Sequence, residues 1–192
     1  MSVPDRANRT SGIVAGAAAG VAAYLLGYLV TYLTQSGRIE EQLAGFNVFA
    51  DLFGSDPIPA WQAVGWMFYN AHFVDTAIPS FVGGTRSVNL ISQADGGSLS
   101  FLFVVPPVLL VVAGLAAGRL AGATEPADGA LSGAFVLAGY LPLAVVGAFA
   151  FRYAVGDGAV APDTVTAVLL AGGVYPAVFG AAGGAVSTLL GE

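Results

Sequence analysis

The chain has no cysteine and no lysine, and a single histidine, His72, in 192 residues. Without cysteine there is no disulfide, thiol nucleophile, iron–sulfur cluster or thiolate zinc site. One histidine rules out a histidine-rich metal centre. Without lysine there is no Walker loop, and a serine nucleophile would have only His72 to activate it. No glycine-rich dinucleotide fingerprint is present. Charge is also scarce, at 9% of residues. Twelve acids against six arginines leave a net charge of −6. A surface of that sign does not bind nucleic acid by releasing counterions, so nucleic acid is excluded as a partner.

What fills the chain instead is apolar. Hydrophobic residues make up 56%, and mean hydropathy is +0.78. The apolar residues gather in four runs, Gly12–Leu33, Leu99–Gly118, Ala130–Phe151 and Thr164–Leu190. Each is close to the roughly 20 residues needed to cross a hydrocarbon core of about 30 Å. The expected architecture is all-α and polytopic: one integral membrane domain over 1–192, with spans at 12–34, 99–121, 130–151 and 164–190. Residues 35–98 form an extracytoplasmic loop carrying amphipathic or interfacial helices. The first run exceeds the length of a signal-peptide core, so it is expected to stay as an anchor. Arg6, Arg9 and Arg119 flank the spans on one side, which predicts cytoplasmic N- and C-termini in a cell membrane; Arg152 opposes this.

Small residues recur at helical spacing. Gly12, Gly16 and Gly20 lie in the first span, Gly114, Gly118 and Gly122 in and after the second, and Gly180 and Gly184 in the fourth. Residues four apart share a helix face, and glycine lets backbones approach. These faces are expected to pack helices within one bundle, with a homo-oligomer as the alternative. The first and third spans both open Ser-Gly, at Ser11-Gly12 and Ser132-Gly133, a weak sign of two parallel hairpins. Prolines interrupt the spans at Pro106-Pro107, Pro142 and Pro176. Two follow a tyrosine closely, in Gly139-Tyr140-Leu141-Pro142 and Gly173-Val174-Tyr175-Pro176. A proline kink is the plain reading of both; broken helices at matching depth can also mark a transport site, here Tyr140, Pro142, Tyr175 and Pro176. Tyr24, Tyr28 and Tyr32 stack at i, i+4 and i+8 and are expected to hydrogen-bond between helices.

In the outer loop Ile39, Leu43, Phe46, Phe49 and Phe53 recur at helical spacing, with Glu40, Asn47 and Asp51 opposite. Asp56-Pro57-Ile58-Pro59 stops that helix. From Pro57 to Val74 there is no charge but much aromatic surface. This predicts a helix at the outer interface, anchored in lipid or docked on a partner through Trp61, Trp66, Tyr69 and His72. A fifth span is the alternative. His72 and Asp75 share a helical face and make half a metal or proton site. Gly83-Gly84 and Gly96-Gly97 punctuate the return to the second span. Gly156-Asp157-Gly158 reads as a turn.

The stretch Gly65-Trp66-Met67-Phe68-Tyr69-Asn70-Ala71-His72-Phe73, set between a first span and a glycine-rich second one, resembles uncharacterised multi-pass membrane proteins of haloarchaea. That family has no assigned activity, so the resemblance implies membrane location alone. The acidic, lysine-free composition is similar in style to halophilic proteomes, where acids keep a protein hydrated in high salt. The function expected is a non-enzymatic component without cofactor or metal, working in the lipid bilayer by association with itself or another membrane protein. The alternative is a small permease or channel subunit with its site at the Pro142/Pro176 breaks.

Overall fold

The computed structural model describes residues 3–52, 56–80, 83–95 and 98–190, without the side chains of 3–11, 46 and 49–52. In order, the elements are α1 (Val3–Leu52), α2 (Ala60–Asn70), β1 (Thr76–Pro79) and β2 (Thr85–Val88). A 3-10 segment, Ser100–Val104, leads into α3 (Val105–Leu120). Then come α4 (Pro126–Ala134), α5 (Val136–Ala150), β3 (Tyr153–Val155) and β4 (Gly158–Pro162). A single turn, α6 (Thr164–Thr166), opens a π-helical stretch, Ala167–Val174, that continues into α7 (Tyr175–Leu189).

Four helical stretches are long and apolar enough to cross a membrane: Gly12–Gly45, Ser100–Leu120, Pro126–Ala150 and Thr164–Leu189. Only 28% to 39% of each apolar window is buried inside the protein. The remaining apolar surface faces outward, which suits lipid rather than water. α2 is 11 residues, about 16 Å, half of what a fifth span would need.

α1 is continuous over 50 residues, about 75 Å at helical rise. The first span and the amphipathic segment after it are therefore one rod. No proline interrupts it between Pro4 and Pro57, and the exposed Gly37 and Gly45 each cost a helix only about 1 kcal/mol. Ile39 is buried and Leu43 half-buried on its inner face, with Glu40 outside. Phe46 and Phe49 lie outside the described side chains, and Phe53 outside the described residues. Asn47 was expected on the solvent face. Instead its amide accepts from Ile58 N–H at 2.9 Å and donates to Ile58 C=O at 3.3 Å, holding the returning chain to the rod.

Glycine sets how close the helices come. A Cβ on Gly114 or Gly133 would land on the Gly180 carbonyl, and one on Gly184 on the Gly129 carbonyl. Gly118 faces Ser187, Gly16 faces Phe135, and Gly20 faces the Val136 carbonyl. Gly12 has room, with Ala121 and Ser132 at ordinary contact distance. These faces therefore meet helices of the same chain: α1 lies against α3 and α5, and α7 against α3 and α4. Gly122 does not continue the α3 stripe. It takes φ +66 and ends the helix, with its N–H on Arg119 C=O and Ala123 N–H on Gly118 C=O, a Schellman cap.

The all-α expectation needs correction, because the connection between α2 and α3 and the one after α5 together form a four-stranded antiparallel sheet, ordered β2-β1-β4-β3. Thr76 pairs with both Val88 and Pro162, and Tyr153 pairs with Val160. The β1–β2 hairpin turns at Gly83 and Gly84, both at positive φ. The β3–β4 hairpin turns at Gly156-Asp157, with Gly156 at φ +54. A tight hairpin needs that conformation at its first turn position. Asp163 N–H donates to Asp75 C=O at 2.9 Å, joining the sheet to the start of the fourth span. Gly96-Gly97 lies outside the described residues.

Replacing Gly114 with alanine should lower the melting temperature of the detergent-solubilised protein, an overpacking penalty of about 1–3 kcal/mol. Gly37→Ala, which meets nothing within 4 Å, should raise stability by up to about 1 kcal/mol. Equal melting of the two variants would contradict this account of the packing.

Candidate functional site

α2 is buried from Gln62 through Asn70. Its polar groups are answered in sequence along α5 and beyond. Gln62 Nε2 donates to the carbonyls of Ala150 and Arg152, at 3.2 and 3.1 Å. Trp66 Nε1 donates to Phe151 C=O at 2.6 Å. The Tyr69 hydroxyl donates to Ala144 C=O, and Tyr24 can then donate to Tyr69 across 3.3 Å. His72 lies 2.6 Å from the Tyr140 hydroxyl. The hydrogen bonds move from the end of α5 to Tyr140, ten residues back along it, while the α2 backbone itself lies closest to α1.

His72 is fully buried. Its Nδ1 is 2.8 Å from Phe68 C=O. A carbonyl only accepts, so Nδ1 carries the proton and Nε2 accepts from Tyr140. Burial pushes the imidazole from 6.5 down to about 4, with the Phe68 carbonyl pulling the other way. Burial likewise pushes the Tyr69 phenol up. The His72 ring is packed by Phe68, Tyr140 and Tyr175, whose centroids lie 4.9, 5.9 and 5.1 Å away.

These positions revise the expected docking surface. Trp66, Tyr69 and His72 are buried within the chain, and only Trp61, 43% exposed, remains open. Hydrogen-bonding groups cannot stay unpaired inside a bundle, so residues read as a boundary belt became its interior. The His72–Asp75 pair is not formed. The helix ends at Asn70, the chain reverses through Phe73 at φ +57, and both His72 nitrogens already have partners. Among the described residues no group of three metal ligands occurs.

The two proline settings differ. Pro142 is exposed within a continuous α5. Pro176 is buried and follows eight residues of π-helix, a geometry enriched at functional positions. Tyr140 and Tyr175 nevertheless converge, since both pack on His72.

Asn70, one of two amides in the aromatic stretch with Gln62, organises the reversal. Its Nδ2 donates to Val74 C=O at 2.7 Å and to Thr76 Oγ1 at 3.1 Å. Its Oδ1 accepts Leu90 N–H at 2.8 Å, and its carbonyl accepts Asn89 Nδ2. Sequence reasoning counted this residue, with Gln62, His72 and Asp75, only as a polar group that a fifth span would have to bury, and gave it no structural role.

Above this buried layer is a cavity of about 610 Å3, within the range of small-molecule sites. Ile39, Leu43, Trp66, Met67 and Leu99 make its apolar floor. Arg38, Gln42, Gln93, Asp95 and Ser98 make a polar, exposed rim. Arg38 Nη1 donates to Ser98 Oγ at 3.4 Å. Neither Arg38 nor Asp95 was a candidate from sequence, since an isolated arginine among acids reads as a solvated charge.

A family profile matches residues 2–191. The chain belongs to the DUF7978 family, a family of unknown function. No curated protein and no solved structure matches it. For this DUF7978 chain the assignment of function therefore rests on the buried layer and the cavity.

Tyr140→Phe removes the donor to His72 Nε2 and should cost about 1–3 kcal/mol, read as a lowered melting temperature. His72 also ties stability to pH. Its folded-state value lies below the unfolded one, so the unfolded chain binds more protons between them. Stability should be full above about pH 6.5 and fall as pH drops toward 4. His72→Phe should flatten that part of the wild-type slope. An unchanged slope would mean that His72 is not held neutral.

Proposed function

We propose that this chain is a non-enzymatic component of the cell membrane, crossing it four times with both termini in the cytoplasm, and that it works by binding. The observation that carries this reading is the cavity over α2, with its apolar floor and charged rim. It lies on the cap that α2 and the sheet make, and its lining comes from α1, α2, β1 and the segment before α3, all between residues 38 and 99. The groups best suited to acid–base chemistry point elsewhere: His72 has both nitrogens engaged inside the bundle, and Asp157 lies in a hairpin turn.

The partner site moves accordingly from the buried aromatics to the cavity rim. Orientation is supported by Arg6, Arg9 and Arg119 at the opposite end of the bundle from the cap, with Arg152 as the contrary charge. The acidic, lysine-free composition supports a halophilic setting. A permease or channel subunit with its site at Pro142/Pro176 has less behind it, because Tyr140 and Tyr175 are packed around His72 and a path there would have to break that contact.

The cysteine-free sequence makes single-cysteine labelling unambiguous. With a membrane-impermeant maleimide on intact cells, Asp157→Cys and Gln93→Cys should react, and Asp128→Cys, at the start of α4, should not. The reverse pattern would put the cap in the cytoplasm. In native membranes Gln93→Cys and Gln42→Cys should react severalfold more slowly than in the purified protein, while Asp157→Cys reacts equally in both. No slowing at the rim would overturn the binding reading.

A further inference from the structure

The rim of the cavity carries both signs of charge. Arg38 comes from α1 and Asp95 from the segment before the second span. Among the described residues the Arg38 guanidinium has no carboxylate partner, only the Ser98 hydroxyl. Among the described residues Asp95, Gln42 and Gln93 likewise show no side-chain hydrogen bond. The cation and the anion therefore line one cavity without neutralising each other. Below them the floor is apolar and largely buried: Ile39 is 6% exposed, Met67 6% and Leu99 5%. Trp66 is held in that floor by its bond to Phe151 C=O, so the wall is fixed before anything binds, which lowers the ordering cost of binding.

A purely anionic amphiphile would satisfy Arg38 and be repelled by Asp95; a purely cationic one would meet the opposite difficulty. An uncharged apolar molecule would cover both charges and strip their water. We infer that the cavity takes a zwitterionic amphiphile: an apolar body on the floor, an anionic oxygen group at Arg38, and an ammonium at Asp95. This rests on the binding reading above and names its ligand chemistry. A short apolar peptide with free termini has that chemistry, and so does a lipid with an aminophosphate head group. The amides of Gln42 and Gln93 stand beside the charges as further donors and acceptors.

The test uses the purified full chain in detergent, with calorimetric titration of two probes, trileucine with free termini and a short-chain phosphatidylethanolamine. At least one should bind. Arg38→Gln and Asp95→Asn should each weaken binding about tenfold or more, as expected for a lost charge-assisted hydrogen bond of roughly 1.5–3 kcal/mol. Both residues are exposed and outside the buried layer, so melting should stay unchanged. On the unaltered chain, amidating the peptide C-terminus should reproduce the Arg38 loss, and acetylating its N-terminus the Asp95 loss. Trileucine binding alone assigns a water-borne ligand; phosphatidylethanolamine binding alone assigns a lipid. The inference is overturned if neither probe binds, if both substitutions leave binding unchanged, or if short-chain phosphatidylglycerol, which lacks the amine, binds as tightly. Should these fail while rim cysteines stay protected in native membranes, the ligand class is wrong and the binding reading stands. Loss of that protection removes both.

Discussion

Polar groups carried into a helix bundle must find protein partners, because neither lipid nor water is there to supply them. α2 and the turn after it bring a glutamine, a tryptophan, a tyrosine, an asparagine and a histidine into that setting. The surrounding elements are arranged around answering them. The end of α5 offers its last carbonyls to Gln62 and Trp66. Tyr24 and Tyr140, from two different spans, reach Tyr69 and His72. One acceptor is left over, Gln62 Oε1, the sole buried side-chain polar atom without a partner among the described residues.

Close helix packing and the buried layer depend on each other. Gly147 has no side chain, and the Tyr24 hydroxyl occupies the place where its Cβ would be. Gly65 does the same for the ring of Phe151, and Gly27 for Phe68. Glycine here makes room for aromatic rings as well as for backbones. The polar layer, in turn, supplies direction: dispersion between small residues holds helices together, but hydrogen bonds fix their register.

Much of the membrane part was legible in the sequence. Apolar length alone places four helices, and four-residue glycine spacing marks faces that the structure uses between α1, α3, α5 and α7. The cap was not legible. Its strands are three to five residues long, and β1 pairs with β4 across some eighty residues of intervening chain, so no local pattern announces the sheet. Trp66, Tyr69 and His72 misled for a related reason. An amphipathic aromatic ring suits a lipid boundary and a protein interior equally well, and only the neighbours decide which it meets. The cavity was hidden because Arg38 and Asp95 are brought together by tertiary structure alone.

The burial of α2 also bears on how the protein is made. Its partners Tyr140 and Ala144 emerge from the ribosome about seventy residues after it, and β4, which completes the cap, later still. Until α5 is present, the Tyr69 hydroxyl and His72 Nε2 lack the partners they have in the folded chain, whereas Asn70 already has its own in Val74, Thr76, Asn89 and Leu90. α2 can lie against α1, and β1 pair with β2, before the rest is made; the bonds to α5 and the pairing of β1 with β4 need the later chain. A segment in the first half of the chain thus completes its bonding only with residues of the second half.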